Sequence, residues 1–121
     1  MTTQEIADRL VSMCRQGQNM EALTELYADS CTSREMLGMP NEFVEGKAAI
    51  IKKSESWYET VEEMHSGEVG DPIVADNHFA CTMKFDITFK DKGRMQFEEV
   101  CVYTVADGKI AAEQFFYTMP G

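Results

Sequence analysis

Apolar positions along this chain recur at helical spacing in the first half and alternate strictly in the second. Thr2-x-x-Glu5 has the form of a capping box, in which hydroxyl and carboxylate satisfy the free N–H groups of a helix start. Ile6, Leu10, Met13 and Cys14 follow at helical spacing, and Gly17 offers a left-handed stop. Asn19 is placed to cap a second, shorter helix that carries Leu23, Leu26 and Tyr27 on one side and ends at Asp29-Ser30. Residues 31–37 read as a short strand, and Gly38-Met39-Pro40-Asn41 as a loop. From Gly46 to about Thr60 the pattern is helical again, with Ile50, Ser54, Trp57 and Val61 in one stripe and Ile51 and Tyr58 beside it.

Beyond residue 60 the period is two. A weak strand over 61–69 meets a break at Gly70-Asp71-Pro72, residues 73–75 are extended, and Asp76-Asn77 turns the chain. Phe79, Cys81, Met83, Phe85, Ile87 and Phe89 then alternate with mostly polar residues along a long strand. Asp91-Lys92-Gly93 is a turn, 94–106 a second long strand, Asp107-Gly108 a hairpin signal and 109–117 a closing strand. Helices first and a meander last is the α+β order. Strands of a dozen residues run roughly 40 Å at about 3.3 Å each, and a small domain holds them only by curling the sheet. The prediction is one domain over 1–121: a cone-shaped α+β barrel, with three N-terminal helices packed in the concave face of a strongly curved, mostly antiparallel sheet. Alternate strand residues would line the cone as a pocket.

Composition narrows the partners. With 44% apolar residues, 121 residues can build a single core. The net charge is −10, and Lys and Arg are scattered, so neither nucleic acid nor an anionic membrane is an expected partner. Cys14, Cys31, Cys81 and Cys101 form no C-x-x-C pair and sit among apolar neighbours, as small buried hydrophobes in a reducing compartment do. The chain start lacks a cationic segment followed by an apolar run, and no stretch approaches membrane-spanning length, which reads as cytoplasmic. The two histidines and scattered carboxylates show no metal-ligand spacing, so no metal is expected.

The candidate chemistry lies on the alternating strands. Met95, Phe97, Cys101, Tyr103 and Val105 share one face of strand 94–106, and Glu99 shares it too. A carboxylate set among apolar neighbours favours its neutral form and can serve as acid or base near neutrality. A bulge at Glu98-Glu99 would instead turn Glu98 inward, and an inward Glu99 could also be a purely structural partner of a buried Tyr or His. Glu113 shares a phase with Phe115 and Tyr117; the opposite phase, with Ile110, Ala112, Gln114 and Phe116, is equally apolar. If Glu113 faces in, it lies beside Glu99 and the two titrate together. His65 is placed as the one interior histidine, able to partner Glu99, or as a surface residue. Tyr103 can donate to a ligand carbonyl or to a buried acceptor. Trp57, Tyr58, Met83, Phe85, Phe97, Cys101, Phe115 and Tyr117 would supply the pocket wall, and several of the nine methionines an adaptable lining or plain core filler.

Helix, Gly17 and second helix leading to LTELYADSCT, then EGKAAI opening the third helix, then VYTVADGKIAAEQFFY, together resemble the SnoaL-like family of the nuclear transport factor 2-like superfamily, over essentially the whole chain. The resemblance implies the same cone, no cofactor, and a homodimer through the outer sheet face, where Val100, Val102 and Thr104 are the apolar segment. Relatives include ketosteroid isomerase, polyketide cyclases, dehydratases and epoxide hydrolases, and also non-catalytic members. By the resemblance Glu35 falls at the isomerase's general base, with a solvated loop carboxylate as the other reading. Cys101 falls near its protonated oxyanion-hole Asp, and Leu10 where its oxyanion Tyr stands. Without those two donors a steroid isomerase is not expected. The expected function is cofactor-independent isomerase, lyase or cyclase chemistry on a small, mostly apolar, oxygenated molecule, with Glu99 moving the proton and Glu35, Glu113 and His65 assisting. The alternatives are a non-catalytic binder using the same pocket and a structural dimer with a filled cone.

Overall fold

A computed structural model describes residues 1–118. Helix α1 (Thr3–Arg15) starts at the expected capping box: Thr2 Oγ1 accepts from the Glu5 N–H, and Glu5 accepts from the Thr2 N–H. Gly17 stops it with φ +76°. Helix α2 spans Asn19–Leu26, and its N-cap is Gln18 without a side-chain hydrogen bond, so Asn19 is the first helical residue and not the cap. The helix also ends earlier than the sequence pattern suggests. Tyr27 is already extended and opens strand β1 (Tyr27–Arg34), because it pairs with a strand more than 80 residues away. Strand β2 (Phe43–Glu45), a three-residue partner of β1, follows the loop. Helix α3 (Lys47–Glu59) begins after Gly46, whose φ of +93° a side-chain-bearing residue rarely adopts.

The remaining strands are β3 (Val61–Val69), β4 (Ile73–Ala75), β5 (His78–Phe89), β6 (Gly93–Ala106) and β7 (Lys109–Phe116). They join β1 and β2 in one seven-stranded sheet ordered β2-β1-β7-β6-β5-β3, with β4 on β5. All pairings are antiparallel except β1 with β7. Three helices and this large curved sheet make the α+β cone expected from the chain. Among the described residues no helix is long and apolar enough to cross a membrane.

The core lies between the three helices and the inner face of the sheet. Ile6, Leu10 and Val11 of α1, Leu23 and Leu26 of α2 and Ile50 of α3 close over Phe79, Cys81, Cys101, Tyr103 and Ile110. Down the inner face of β5 and β6 the opposed pairs are Phe79–Tyr103, Cys81–Cys101, Met83–Glu99, Phe85–Phe97 and Ile87–Met95. The first two pairs are buried throughout, whereas Glu99, Phe85 and Phe97 are half-buried. Ile87, further along, is fully buried again, so Glu99 lies at the start of a partly open stretch between two buried ones. A register slip between β6 and β7 puts Ala111 in excess between Ile110 and Ala112. That bulge lets Ile110 and Glu113 both face inward although their spacing is odd.

Candidate functional site

Strand β6 runs regularly through Glu98 and Glu99, so alternation holds. Glu98 is exposed with Lys84 at 3.8 Å, and Glu99 faces the cone. Burial raises the Glu99 pKa most, and the nearby Glu35 and Glu113 charges raise it further. The Cys101 thiol, donating at 3.6 Å, and the Lys53 charge pull it down; the balance is about 7. A group that changes protonation there can both take and give a proton at neutral pH.

Glu113 is 7% exposed, and both its oxygens are occupied. Tyr27 Oη donates to Oε1 and Ser33 Oγ to Oε2 at 2.6 Å. Burial raises its pKa, against the opposing effect of those two hydroxyls and of Lys53. Lys53 Nζ then donates to Ser33 Oγ at 2.8 Å and meets Glu35 Oε1 at 2.9 Å. Tyr117 Oη donates to the other Glu35 oxygen at 3.0 Å. Tyr27, Glu113, Ser33, Lys53, Glu35 and Tyr117 thus form one continuous polar chain across the cone, with Glu99 and Cys101 beside it. Burial and the adjacent carboxylates push both tyrosines' pKa values up, so they remain neutral donors.

Several of the groups singled out from the sequence face the cone. Glu99 and Glu113 face in, and Glu35 is a cone group held by Lys53 and Tyr117 rather than a solvated loop carboxylate. His65 does not join them. The β3 register slips between Met64 and Ser66, leaving His65 as the extra residue, and its ring nitrogens lie 2.8 Å from Glu63 and 2.7 Å from Thr88. Tyr103, Cys101 and Met83 belong to the packed core, Tyr103 stacking on Phe79 at 4.7 Å. Trp57 meets Phe85, Phe89 and Tyr58 at ring distances of 6.4, 6.0 and 5.2 Å, and Phe97 lies against Phe85 and Phe89. Trp57, Phe85, Phe89 and Phe97 form a half-buried aromatic wall, whereas Tyr58 is exposed at its edge and not part of a pocket lining. Phe115 lies 5.5 Å from Lys53 Nζ. The groove that touches Glu99, about 460 Å³, is open and shallow; Thr82, Glu98, Val100 and Phe116 of the outer sheet face line much of it, with Met36 and Tyr117.

Lys53, Ser33 and Tyr27 are members of this polar chain that the sequence pattern does not single out. Lys53 left a readable trace: it lies three residues after Ile50 and four before Trp57, on the face of α3 that turns inward. Among the described residues no three His, Cys, Asp or Glu side chains converge as a metal-holding group.

A family model described as a SnoaL-like domain matches residues 1–117. A solved protein from Mesorhizobium loti, named as a candidate SnoaL-like polyketide cyclase and also as a carbohydrate phosphatase, is 40% identical. That alignment covers 97% of this chain and 100% of the other, with a TM-score of 0.92. A Xanthomonas campestris protein of unknown function with a cystatin-like fold is 16% identical over 98% of this chain and 92% of its own, TM-score 0.83. A Catenulispora acidiphila protein with a ketosteroid isomerase-like fold, solved with trimethylamine, is 16% identical over 95% and 86%, TM-score 0.74. The last two share the fold alone. No curated protein sequence matches. With 117 of its residues under one family model and a close structural counterpart along its whole length, the chain belongs to the SnoaL-like domain family.

Proposed function

We propose that this protein carries out cofactor-independent acid/base chemistry, of isomerase, lyase or cyclase type, on a small, mostly apolar, oxygenated molecule. Glu99 moves the proton. The single observation that carries this is the setting of Glu99: an inward carboxylate with its pKa near 7, flanked by two further carboxylates and one ammonium, beside an aromatic wall. Glu35 and Glu113 tune it, and Trp57, Phe85 and Phe97 receive the apolar body of the molecule. The name of the Mesorhizobium loti protein as a candidate cyclase is consistent with this class. A second reading, a binder or structural dimer, is favoured by the mutual saturation of the polar chain, since no buried side-chain nitrogen or oxygen among the described residues lacks a partner.

A homodimer through the outer sheet face belongs to the same proposal. Val100 and Phe116, directly opposed there, are 42% and 43% exposed, and Val102 continues the patch. A cytoplasmic setting fits the four free cysteines.

The test is deuterium uptake at the carbon next to the carbonyl in a panel of small ketones, followed by proton NMR. Wild type should accelerate it with a rising limb centred near pH 7, and Glu99→Gln should lose roughly 10²–10⁴-fold. Ligand binding with no exchange in wild type would instead establish the binder.

A further inference from the structure

We propose that Cys81 and Cys101 are a peroxide-reactive thiol pair: hydrogen peroxide joins them in a disulfide across β5 and β6, and a small thiol reopens it. The inference holds whether or not the cone turns over a substrate.

The two residues are directly opposed on the antiparallel pair β5–β6, and both are buried beneath the helices, 3% and 0% exposed. Where this ladder begins, the Val105 N–H donates to the Asn77 carbonyl at 2.7 Å. The alternation of an antiparallel pair then makes the Cys81–Cys101 rung a hydrogen-bonded one as well. Such a rung sets its Cα atoms about 5.5 Å apart, inside the roughly 4.4–6.8 Å that a disulfide spans. Side chains on a rung of this kind stand wider than a relaxed disulfide holds them, so the bridge closes against some strain and is readily reduced.

Neither other cysteine faces a cysteine in register: Cys14 lies on α1 and Cys31 on β1. Burial pushes both of those thiols up to about 12, which keeps them protonated and unreactive. Cys81 goes the other way. The Cys101 thiol donates to it and favours its thiolate, against the cost of burial and with help from Arg15. The same bond pushes the Cys101 pKa up, so Cys81 is the attacking sulfur and Cys101 the resolving one. The Cys101 proton has a second acceptor, Glu99 Oε1 at 3.6 Å, at the start of the partly open stretch of the cone. Hydrogen peroxide is small enough to enter there, whereas a bulky disulfide is not.

The step balances with hydrogen peroxide as the oxidant. The Cys81 thiolate attacks one peroxide oxygen and the O–O bond breaks. The departing hydroxide takes the proton that Cys81 gave up and leaves as water, with Cys81 now a sulfenic acid. Cys101 passes its proton to Glu99, and its sulfur attacks the Cys81 sulfur. The S–O bond breaks, and the hydroxide leaves as water with the proton from Glu99. The two thiols have lost two electrons and two protons, which the peroxide has gained. Once bridged, Cys101 no longer donates to Glu99; that bond holds the Glu99 pKa down, so oxidation raises it.

The experiment treats the full-length protein, reduced and freed of reductant, with hydrogen peroxide at pH 7. Thiols are then counted in urea and the protein is mapped by tryptic peptide mass. The count should fall from four to two, with the Cys81 and Cys101 peptides joined and the protein two hydrogens lighter, and dithiothreitol should reverse this. Cys101→Ser should stop at a Cys81 sulfenic acid that dimedone captures, and Cys81→Ser should keep its remaining thiols. Four thiols left in wild type, oxygen added without a link, or a link through Cys14 or Cys31 overturns the assignment. The same thiol loss in folded Cys81→Ser overturns it too, and the wild-type peptide map decides even where a variant fails to fold. In the bridged protein the Glu99 carboxyl titration should move to higher pH, and an unmoved midpoint would strike the connection to Glu99.

Discussion

Glu99 sits on β6 between a buried thiol and a half-buried aromatic, and the balance on its proton decides what the site can do. Raising a carboxyl pKa from 4.5 to about 7 makes the ionised form roughly 3 kcal/mol less favourable in the folded protein than in the unfolded chain. The folded state then holds a proton that the unfolded state releases between those two values. Stability is therefore highest below pH 4.5 as far as this group is concerned, and falls as pH rises through 7. Glu113 is shifted in the same direction and adds to the trend. At pH 8 Glu99→Gln should stabilise the fold by up to about 3 kcal/mol, and at pH 4 it should change little. Urea denaturation at both pH values measures this. A mutant destabilised at pH 8 would show that the ionised Glu99 has a partner it needs.

At the scale of elements, α3 is what brings Lys53 to the carboxylates, and α3 starts at Gly46. With φ +93° and ψ +140° this residue occupies backbone space that is essentially glycine's own, while its N–H donates to Cys31 at 2.8 Å and its carbonyl accepts from Ile50. Gly46→Ala should cost about 1–3 kcal/mol by urea denaturation, through backbone strain, because the added methyl itself meets nothing closer than 3.8 Å. An unchanged midpoint would mean that the turn relaxes freely. The same elements explain what the sequence could disclose. Alternation on β6 exposes Glu99 as the odd polar residue on an apolar face, since a regular strand has period two. On β7 the bulge at Ala111 defeats that reasoning, because a single phase cannot hold both Ile110 and Glu113. Tyr27 and Ser33 were illegible for a different reason. Their partner Glu113 is 86 and 80 residues away, and β1 itself breaks register between Tyr27 and Thr32. Lys53 reads as an ordinary surface lysine until the helix is docked, since long cationic side chains commonly extend to solvent past apolar neighbours.

For the molecule as a whole, a cone built from one sheet has two faces: an inner one that carries the polar chain and an outer one on which Val100 and Phe116 are exposed. The helical order, the long meander and the hairpin turns were all readable, because each follows from local periodicity and turn residues. The parallel β1–β7 pairing that closes the cone was not, because nothing local encodes it. If the outer face forms the dimer, Phe116→Lys together with Val100→Lys should convert it to monomer in sedimentation velocity. An unaltered sedimentation coefficient in a dimeric protein would move the interface elsewhere.

The protonation of Glu99 decides the chemistry of the site, and a carboxyl carbon NMR titration reads it, with Glu99→Gln supplying the assignment. The midpoint should lie near 7, and Glu35→Gln should lower it by removing the largest repulsive charge beside it. A midpoint near 4.5, unmoved by Glu35→Gln, would place Glu99 in contact with solvent and contradict both its burial beside the polar chain and its role in proton transfer.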